Sequence, residues 1–438
     1  MRVGIIGAGA AGLAAAYDLT RAGHQVQIYE AGPEVGGLAA GFKDEKWEWT
    51  LEKFYHHWFA NDDAVLGLVK ELGAGDKLLF PRPITAMWLN RKIIHMDHPN
   101  IVVANLRLPI SFISKMRYGL TGLYLKFFKN WKPMERSTAD AWLRRTMGNE
   151  AYEKLWRSLL IGKFGQEYDK VNMAWFWARV YKRTTHLGTF AGGFQAFLNL
   201  LADRVRQQGA EIHLNTAVER VEQNANGKLD ILVGGQRETF DAVISTSSPQ
   251  IMRRLVPDLP VDYAAKLDAL KSMGAAVVIL ALKHELLTDG TYWLSLPSDE
   301  PDKSKAEFPF LALVEHTNYM DRSHYNGDHI VYCGDYVPPD HEYFSLSEDE
   351  LVERFIRALP VFNSNFSPDW IRKRWVFRVR YAQPIPYVNQ SAALPDLRTP
   401  LKGLYLASMS QVYPWDRGTN YAVEMGRQVA QMAVDDLQ

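Results

Sequence analysis

The hydrophobic and polar positions in the first thirty residues predict a strand, a helix and a second strand. Residues 3–6 form a short continuous apolar run, which is typical of a buried strand. The alanine-rich stretch that follows, up to Leu19, predicts a helix, and residues 24–30 alternate between polar and apolar positions as a strand does. The chain therefore begins with a β-α-β pattern.

Glycines occupy the connection between the first strand and the helix. Gly7, Gly9 and Gly12 have the G-x-G-x-x-G spacing, in which they make the tight turn, admit a pyrophosphate and let the helix pack on the strand. The helix N-terminus offers free N–H groups to an anion. Glu30 ends the second strand, where its carboxylate can accept hydrogen bonds from ribose hydroxyls. These features predict a dinucleotide site.

The stretch after Glu30, "EAGPEVGGLAAG", resembles the flavin amine oxidase superfamily, which includes monoamine oxidases, protoporphyrinogen oxidases and phytoene desaturases. Residues 192–223, with the strand-like run 241–249, and residues 403–430 resemble its later FAD segments. The resemblance implies FAD as the cofactor. The expected FAD-binding residues are Gly7, Gly9, Ala10, Ala11, Gly12, Glu30, Ala31, Gly36, Gly37, Leu38, Val218, Ser408, Arg417, Gly418, Thr419 and Asn420.

Two positions depart from the superfamily pattern. Leu38 stands where an arginine usually follows the Gly-Gly pair. Ser408–Met409 stands where the superfamily usually has Gly-Asp, whose carboxylate binds a ribityl hydroxyl. Two outcomes stay open: the hydroxyl of Ser408 or Ser410 replaces that carboxylate, or the protein holds FAD more weakly.

The positions of the FAD-like segments predict a discontinuous domain organisation. We expect an α/β fold with a Rossmann-like FAD-binding domain built from residues 1–87, 189–248 and 387–438. The substrate domain, of the α+β type, then comprises residues 88–188 and 249–386. Its helical part is expected over residues 100–188 and its antiparallel sheet over residues 249–386.

Composition narrows the possible partners and locations. The 438 residues contain 50 Lys and Arg against 50 Asp and Glu, which argues against nucleic acid as a partner. The single cysteine, Cys333, lies in an apolar run, so we expect a buried, inert thiol and a cytoplasmic protein. No apolar run approaches the roughly 20 residues of a membrane span. Residues 295–308 are the most polar stretch and predict an exposed loop.

Residues 105–131 combine apolar side chains with five basic residues and no acid. One interpretation is an ordinary amphipathic helix pair whose basic side chains are solvated. The other is a peripheral surface whose apolar residues enter the headgroup layer of an anionic membrane. The sequence leaves both open, as it does the oligomeric state.

A second basic feature lies in residues 370–389, where a strand would place four arginines on one face, namely Arg372, Arg374, Arg378 and Arg380. One interpretation is an outer strand with a solvated face. The alternative is a site for a phosphate or diphosphate, since guanidinium groups bind such anions bidentately.

The catalytic candidates come from three stretches. His56 and His57 are expected to titrate near neutral pH and lie where the superfamily crosses the flavin edge. Lys163 lies where these families line the substrate cavity. Tyr413 and Trp415, with Asp416, immediately precede the expected flavin-facing helix. "HMDHP" at residues 95–99 has two metal-ligand residue types but no accompanying cluster, so no metal site is expected.

These observations predict an FAD-dependent oxidoreductase that takes a hydride from a C–N or C–C centre of a large, mainly apolar substrate. The resemblance favours a protoporphyrinogen oxidase-like or phytoene desaturase-like enzyme. Two alternatives remain. One is a flavin-dependent mutase resembling UDP-galactopyranose mutase, and the other is a non-enzymatic lipid-binding protein resembling the GDP-dissociation inhibitors.

Overall fold

A computed structural model describes residues 1–96 and 101–437. The strands in these ranges are β1 (Arg2–Ile6), β2 (Gln25–Tyr29), β3 (Gly41–Phe42), β4 (Leu51–Glu52), β5 (Trp58–Phe59), β6 (Leu78–Leu79), β7 (Ile84–Leu89), β8 (Lys92–His95), β9 (Leu187–Phe190), β10 (Glu211–His213), β11 (Val218–Gln223), β12 (Leu229–Val233), β13 (Gln236–Phe240), β14 (Ala242–Ser245), β15 (Ser272–Leu282), β16 (Thr291–Ser295), β17 (Ala312–Glu315), β18 (His329–Val337), β19 (Ile371–Pro384) and β20 (Leu404–Leu406).

The helices in the same ranges are α1 (Ala10–Arg21), α2 (Asp63–Glu71), α3 (Ile101–Leu106), α4 (Phe112–Phe127), α5 (Ala139–Met147), α6 (Asn149–Tyr152), α7 (Ser158–Phe164), α8 (Met173–Lys182), α9 (Phe194–Gln207), α10 (Pro249–Leu255), α11 (Val261–Ala269), α12 (Glu348–Ile356), α13 (Gln390–Ala393) and α14 (Thr419–Leu437).

A five-stranded parallel sheet joins three distant parts of the sequence, in the order β10-β2-β1-β14-β20. Alternate residues of β1 face different layers. Val3 and Ile5 pack into a core shared with α1, α9 and α14, whereas Ile6 packs toward the antiparallel sheet β11-β12-β13. Because both faces are covered at the centre of the sheet, the inner strands β1 and β14 are almost entirely apolar. The carboxyl ends of these strands form the edge at which the glycine loops lie.

A seven-stranded sheet in the order β19-β15-β18-β17-β16-β7-β8 forms the second large layer. Its pairs are antiparallel except β16 with β7, which run parallel. The central strand β15 is buried on both faces, with Val278 in a core beside α12 and Val277 in an aromatic core on the other face. Cys333 of β18 is fully buried, and burial raises the pKa of its thiol, which confirms the prediction of a buried cysteine.

The helices α3 to α8 form a third layer around a core that contains Trp175, Phe176 and Trp177 of α8. Helix α6 continues through a π-helical turn at Glu153–Arg157 into α7, which ends at Phe164. No helix within residues 1–96 and 101–437 is long and apolar enough to cross a membrane. The predicted domain boundary between residues 87 and 88 falls inside β7. The limits of the FAD-binding and substrate domains stay a prediction.

The stretch 295–308 is a loop with a short 3-10 turn, and its residues Asp299, Ser304, Lys305 and Glu307 are exposed as predicted, but other residues in it are buried. Lys303 is only 8% exposed, and its Nζ lies 2.6 Å from Asp335 Oδ1 and 2.5 Å from the carbonyl oxygen of Gly162. Phe308 is also buried. The prediction holds only in part, because a buried ion pair and one aromatic side chain fix part of this loop against β18 and α7.

Candidate active site

The loop between β1 and α1 leaves the start of α1 open to a ligand. Gly7 has a φ of +103°, which favours glycine, and a Cβ on Gly12 would lie 2.0 Å from the carbonyl oxygen of Gly7. Gly9 is the N-cap and provides no side-chain cap. The first N–H groups of α1, including those of Ala10 and Ala11, therefore face outward at the positive end of the helix dipole, where an anion binds.

The Gly36–Gly37 turn lies directly against this loop. Gly36 forms a parallel bridge with Gly9, and its N–H donates to the carbonyl oxygen of Ala8 at 2.9 Å. Leu38 lies in the 3-10 turn Gly37–Ala39 and is partly buried. The structure thus brings the two glycine segments together into one backbone surface, with an apolar side chain where the superfamily places an arginine.

Glu30 lies at the end of β2 with both carboxylate oxygens engaged. Oε2 accepts the N–H of Ala8 and Oε1 accepts the N–H of Gly32, each at 2.8 Å. A carboxylate oxygen has two acceptor positions, so each retains one for a ribose hydroxyl. Ala31 is exposed beside it, and Val218 begins β11. The hydrogen bonds hold Glu30 against the glycine loop.

The N-terminus of α14 faces the same region with its backbone. The hydroxyl of Thr419 accepts the indole N–H of Trp58 at 2.6 Å, and Oδ1 of Asn420 accepts the N–H of Val65 at 3.1 Å. Both side chains are therefore occupied inside the protein. A Cβ on Gly418 would meet nothing closer than an atom of Tyr421 at 4.0 Å, so the backbone there is open to a ligand.

Ser408 and Ser410 at the end of β20 share a partner that the sequence did not indicate. The hydroxyl of Tyr381, on β19, lies 3.0 Å from Ser408 Oγ and 2.8 Å from Ser410 Oγ. The same hydroxyl oxygen accepts the N–H of Ser410 at 2.9 Å. Met409 stands at the position that usually carries an aspartate, and the serines on either side of it form a buried cluster with Tyr381.

These residues fit FAD. The uncapped α1, the two glycine turns and Glu30 provide N–H donors for a diphosphate and acceptors for a ribose, and the open backbone at Gly9 and Gly418 leaves room beside them. The described residues around this cradle also include two buried nitrogens with no hydrogen-bond partner, Nδ1 of His57 and Nε of Arg417. Buried polar atoms without partners are rare, and a bound cofactor would satisfy them.

Asp416 organises a charged cluster in front of α14. Its Oδ2 accepts from Lys163 Nζ at 3.2 Å and from Arg179, and its Oδ1 accepts the indole N–H of Trp175 at 3.0 Å and the amide of Gln383 at 3.3 Å. Burial alone would raise the pKa of Asp416, but Lys163, Arg179 and Arg417 outweigh it and hold the pKa well below its usual range. Burial, followed by the neighbouring Arg179, lowers the pKa of Lys163.

Arg417 extends this cluster toward the sheet. Its guanidinium bonds the Tyr336 hydroxyl, and its central carbon lies 5.2 Å from the Tyr336 ring centroid. Lys163 Nζ lies 5.6 Å from the centroid of the same ring. Tyr336 therefore contacts both Arg417 and Lys163. The cluster contains three basic side chains, Lys163, Arg179 and Arg417, and the single carboxylate of Asp416.

His56 and His57 are neutral at physiological pH. Burial lowers the pKa of His56 to about 4 and that of His57 to about 3, with the charge of Arg183 contributing to the latter. His56 Nδ1 lies 2.5 Å from the carbonyl oxygen of Phe54. The expectation that they titrate near neutral pH is therefore wrong, because their surroundings exclude the charged form.

Trp415 forms the centre of an aromatic wall. It stacks on Tyr421 at a centroid distance of 5.9 Å and lies 5.6 Å from Trp177 and 6.3 Å from Tyr181. The preceding Tyr413 turns away, because its hydroxyl donates to Glu135 at 3.1 Å. Of the two aromatic candidates, Trp415 lies with the aromatic residues of α8, whereas Tyr413 is tied to the helical layer.

The arginines of β19 are engaged within the protein. β19 is an edge strand, as one interpretation of the sequence had it. Arg372 binds Asp328 through two nitrogens, and Arg374 binds Asp349. Arg378 donates to the carbonyl oxygen of Ser347, and Arg380 donates to that of Pro339. The structure thus gives these guanidinium groups protein partners, which weakens the phosphate interpretation.

The second histidine of the possible metal motif, His98, lies outside the residues that the structure describes, as does Asp97. His95, which is described, has its Nε2 at 2.8 Å from Asp289 Oδ2. This contact with Asp289 holds the His95 side chain in place on the hairpin β7-β8.

The cradle and the charged cluster define a protein that binds FAD beside the aromatic residues around Trp415. The sequence profile of the family described as flavin containing amine oxidoreductase matches residues 10–434, so the chain belongs to that family. It is an FAD-dependent oxidoreductase.

Curated relatives of this chain are carotenoid desaturases. The 15-cis-phytoene desaturase of Arabidopsis thaliana is 24% identical over 477 residues, covering 100% of this chain and 80% of that protein. A Synechococcus elongatus protein provisionally named as a zeta-carotene desaturase is 26% identical over 270 residues, or 56% of each chain. The chain thus spans little more than half of that second relative.

Solved structures with low identity share the fold. A protein from Exiguobacterium sp. 255-15, provisionally described as a protoporphyrinogen oxidase, superposes with a TM-score of 0.79 at 17% identity and covers 99% of both chains. Reduced UDP-galactopyranose mutase gives a TM-score of 0.76 at 16% identity and covers 99% of this chain and 95% of its own. The predicted fold class is confirmed.

Proposed function

We propose that this flavoprotein removes a hydride from a large, mainly apolar substrate, as a desaturase or oxidase of the phytoene desaturase or protoporphyrinogen oxidase type. The observation that carries the proposal is the aromatic wall in which the partly exposed Trp415, Tyr181 and Tyr421 pack over the buried Trp177, immediately before the helix start at Gly418. Aromatic side chains of this kind bind an apolar molecule through buried surface, at about 25 cal/mol per Å². The carotenoid desaturases among its relatives support the same substrate class.

The residues of this chain then have distinct roles around the cofactor. Bound FAD supplies the hydride acceptor. The uncapped start of α1 holds the diphosphate, and the backbone at Gly418 presents the positive end of α14, which favours negative charge nearby. Asp416 fixes the positions of Lys163 and Arg179. The neutral His57 offers its unpaired Nδ1 as a hydrogen-bonding atom rather than as an acid.

The test is an anaerobic titration of the oxidised holoprotein with tetrapyrrole and polyisoprenoid candidates while the flavin absorbance is followed. We expect one apolar candidate to bleach the flavin. Trp415→Ala should raise the KM or apparent Kd for that candidate, because it removes the centre of the wall. Arg378→Ala, on the outer strand, is the matched control and should leave flavin reduction nearly unchanged.

A specific observation also keeps a mutase of the UDP-galactopyranose mutase type as a second candidate. Lys163, Arg179 and Arg417 together outnumber the single carboxylate of Asp416, and such an excess of cations favours an anionic substrate group. In that case UDP-sugars should shift the flavin spectrum without bleaching it, and Arg179→Met should abolish the shift. Bleaching by an apolar candidate with no response to UDP-sugars would exclude the mutase.

The non-enzymatic alternative makes a different prediction about the cofactor. A lipid-binding protein of the GDP-dissociation inhibitor type has no need of a reducible flavin. We propose instead that FAD is retained and reduced during turnover, in the cytoplasm. A purified protein that binds an apolar ligand but shows no flavin reduction with any candidate would favour the carrier.

A further inference from the structure

Helix α4 exposes an apolar face that nothing in the described chain covers. Its outward side chains include Phe127, Ile113 and Phe112, which are 75%, 71% and 68% exposed. Among the described residues, eight of the eleven exposed large hydrophobic side chains lie between residues 106 and 127, namely Leu106, Phe112, Ile113, Met116, Leu120, Leu123, Tyr124 and Phe127. Soluble proteins rarely expose so many apolar side chains together, and such a patch marks an interaction surface.

The helix that carries this face is firmly attached to the protein. Its opposite side is buried through Ser114, Thr121 and Leu125, and α4 packs on α5 and α8. At its N-terminus Ser111 Oγ and Ser114 Oγ both donate to Glu150, at 2.5 Å and 2.7 Å. One side of α4 therefore packs against the protein, and the other side is exposed on a firmly held helix. We call the seven exposed side chains of α4, together with Leu106 of α3, the α4 face.

Positive charge surrounds the α4 face. Residues 98–134 contain six Lys or Arg residues and no Asp or Glu, although the whole chain has a formal net charge of zero. Three of the six are tied to backbone carbonyl oxygens: Lys115 to Leu106, Arg117 to Arg145 and Thr146, and Lys126 to Tyr181 and Arg183. The others, Arg107, Lys129 and Lys132, are exposed. An apolar face with basic residues around it has the chemistry that binds an anionic lipid surface.

We propose that the α4 face is the site at which this protein docks on an anionic membrane. Its apolar side chains would enter the headgroup layer while Lys129 and Lys132 contact lipid phosphates. A second copy of the chain is a poorer occupant, because pairing two such faces would bring six like charges on each copy together. Lys126 is not a lipid contact, since its ammonium donates to two carbonyl oxygens and burial lowers its pKa.

The docking site would lie next to the proposed active site. The inner side of α4 packs on α8, and α8 carries Trp175 and Arg179, both of which bond Asp416. A membrane-dissolved apolar molecule would therefore meet the protein on the side of the aromatic wall. This consequence for substrate supply rests on the proposed function, whereas the docking itself does not.

The experiment is cosedimentation of the FAD-loaded protein with phosphatidylcholine vesicles, with and without phosphatidylglycerol, at low and high salt. We expect binding to the anionic vesicles that weakens as salt rises. Lys129→Glu with Lys132→Glu should lower partitioning by at least about tenfold at low salt. Leu120→Ser with Phe127→Ser should lower it at both salt concentrations. Val261→Ser with Lys266→Glu, at exposed positions of α11, is the matched control and should bind like wild type.

Flavin content of each variant shows that it has folded, and hydrogen exchange of the unmodified protein provides a second measurement. Vesicles should protect amides of α4 and leave those of α11 unchanged. Wild-type protein that stays in the supernatant with both vesicle types would overturn the proposal, as would dimerisation through the α4 face without vesicle binding. Flavin reduction is measured separately in detergent, so loss of docking and failure of the proposed reaction remain distinguishable.

Discussion

Glu52 provides a sharp test of how burial and charge combine near the cofactor cradle. Its side chain is 4% exposed, and Oε1 accepts the N–H of Phe194, the first residue of α9, at 2.8 Å. Burial raises the pKa of this carboxyl from 4.5 to about 7, despite the hydrogen bond that favours its charged form. The Glu52→Gln substitution preserves an acceptor oxygen for Phe194 and removes the titration.

The sign of the effect follows from proton binding. The folded protein keeps the Glu52 proton to a higher pH than the unfolded chain, so this group stabilises the fold below pH 4.5 and its contribution is lost as the pH rises through 7. The rise of the pKa from 4.5 to about 7 corresponds to about 3 kcal/mol. The free energy of unfolding of Glu52→Gln, relative to that of wild type, should therefore rise by about 2–3 kcal/mol as the pH is raised from about 5 to about 8.

The assay is urea unfolding of the FAD-loaded wild type and variant, at matched free FAD, across that pH range. His56 and His57 titrate in both proteins, so their effects cancel in the difference. Glu45→Gln, at an exposed residue of the loop before β4, serves as the matched control for the removal of a carboxylate. A difference between Glu52→Gln and wild type that stays constant with pH, or falls as pH rises, would refute the reasoning.

Four further outcomes are expected. Glu30→Ala should weaken FAD binding at least tenfold in a fluorescence titration, because each charge-assisted hydrogen bond contributes about 1.5–3 kcal/mol. Gly12→Ala should yield flavin-free protein, whereas Gly67→Ala, whose Cβ meets nothing within 4 Å, should retain its yellow colour. His57→Phe should lose less thermal stability than wild type as the pH drops from 6.5 toward 4, because the unfolded wild-type chain protonates a histidine that the fold keeps neutral. Asp416→Asn should lower kcat and alter the flavin spectrum, since Lys163 loses its carboxylate partner.

The local sequence predicted the glycine turns and the position of Glu30, because both depend on local geometry. Gly12 must be glycine since any Cβ would collide with the Gly7 carbonyl, and Glu30 must follow β2 to reach the loop. The strand at residues 371–384 was also predicted, and its edge position agrees with one of the two interpretations that the sequence left open. In each case, spacing along one or two neighbouring elements determines which atoms meet.

Residue type alone predicted the chemistry of several side chains incorrectly or incompletely. His56 and His57 look titratable in sequence, yet burial makes them neutral. Lys303 lies in the most polar stretch of the chain but is buried against Asp335. The pKa of a side chain and its exposed fraction depend on the atoms that surround it, and most of those atoms come from distant parts of the sequence.

The sequence by itself determined the β-α-β start, the glycine turns, the acid at residue 30 and the helix start at residue 418, since each depends on short-range spacing and backbone geometry. Only the tertiary structure decided which side chains converge around them. Asp416 meets Lys163 and Arg179 across 253 and 237 residues, and the apolar residues of α4 remain exposed because its other side packs on α8. Long-range contacts of this kind follow from how sheets and helices pack, which no local pattern specifies.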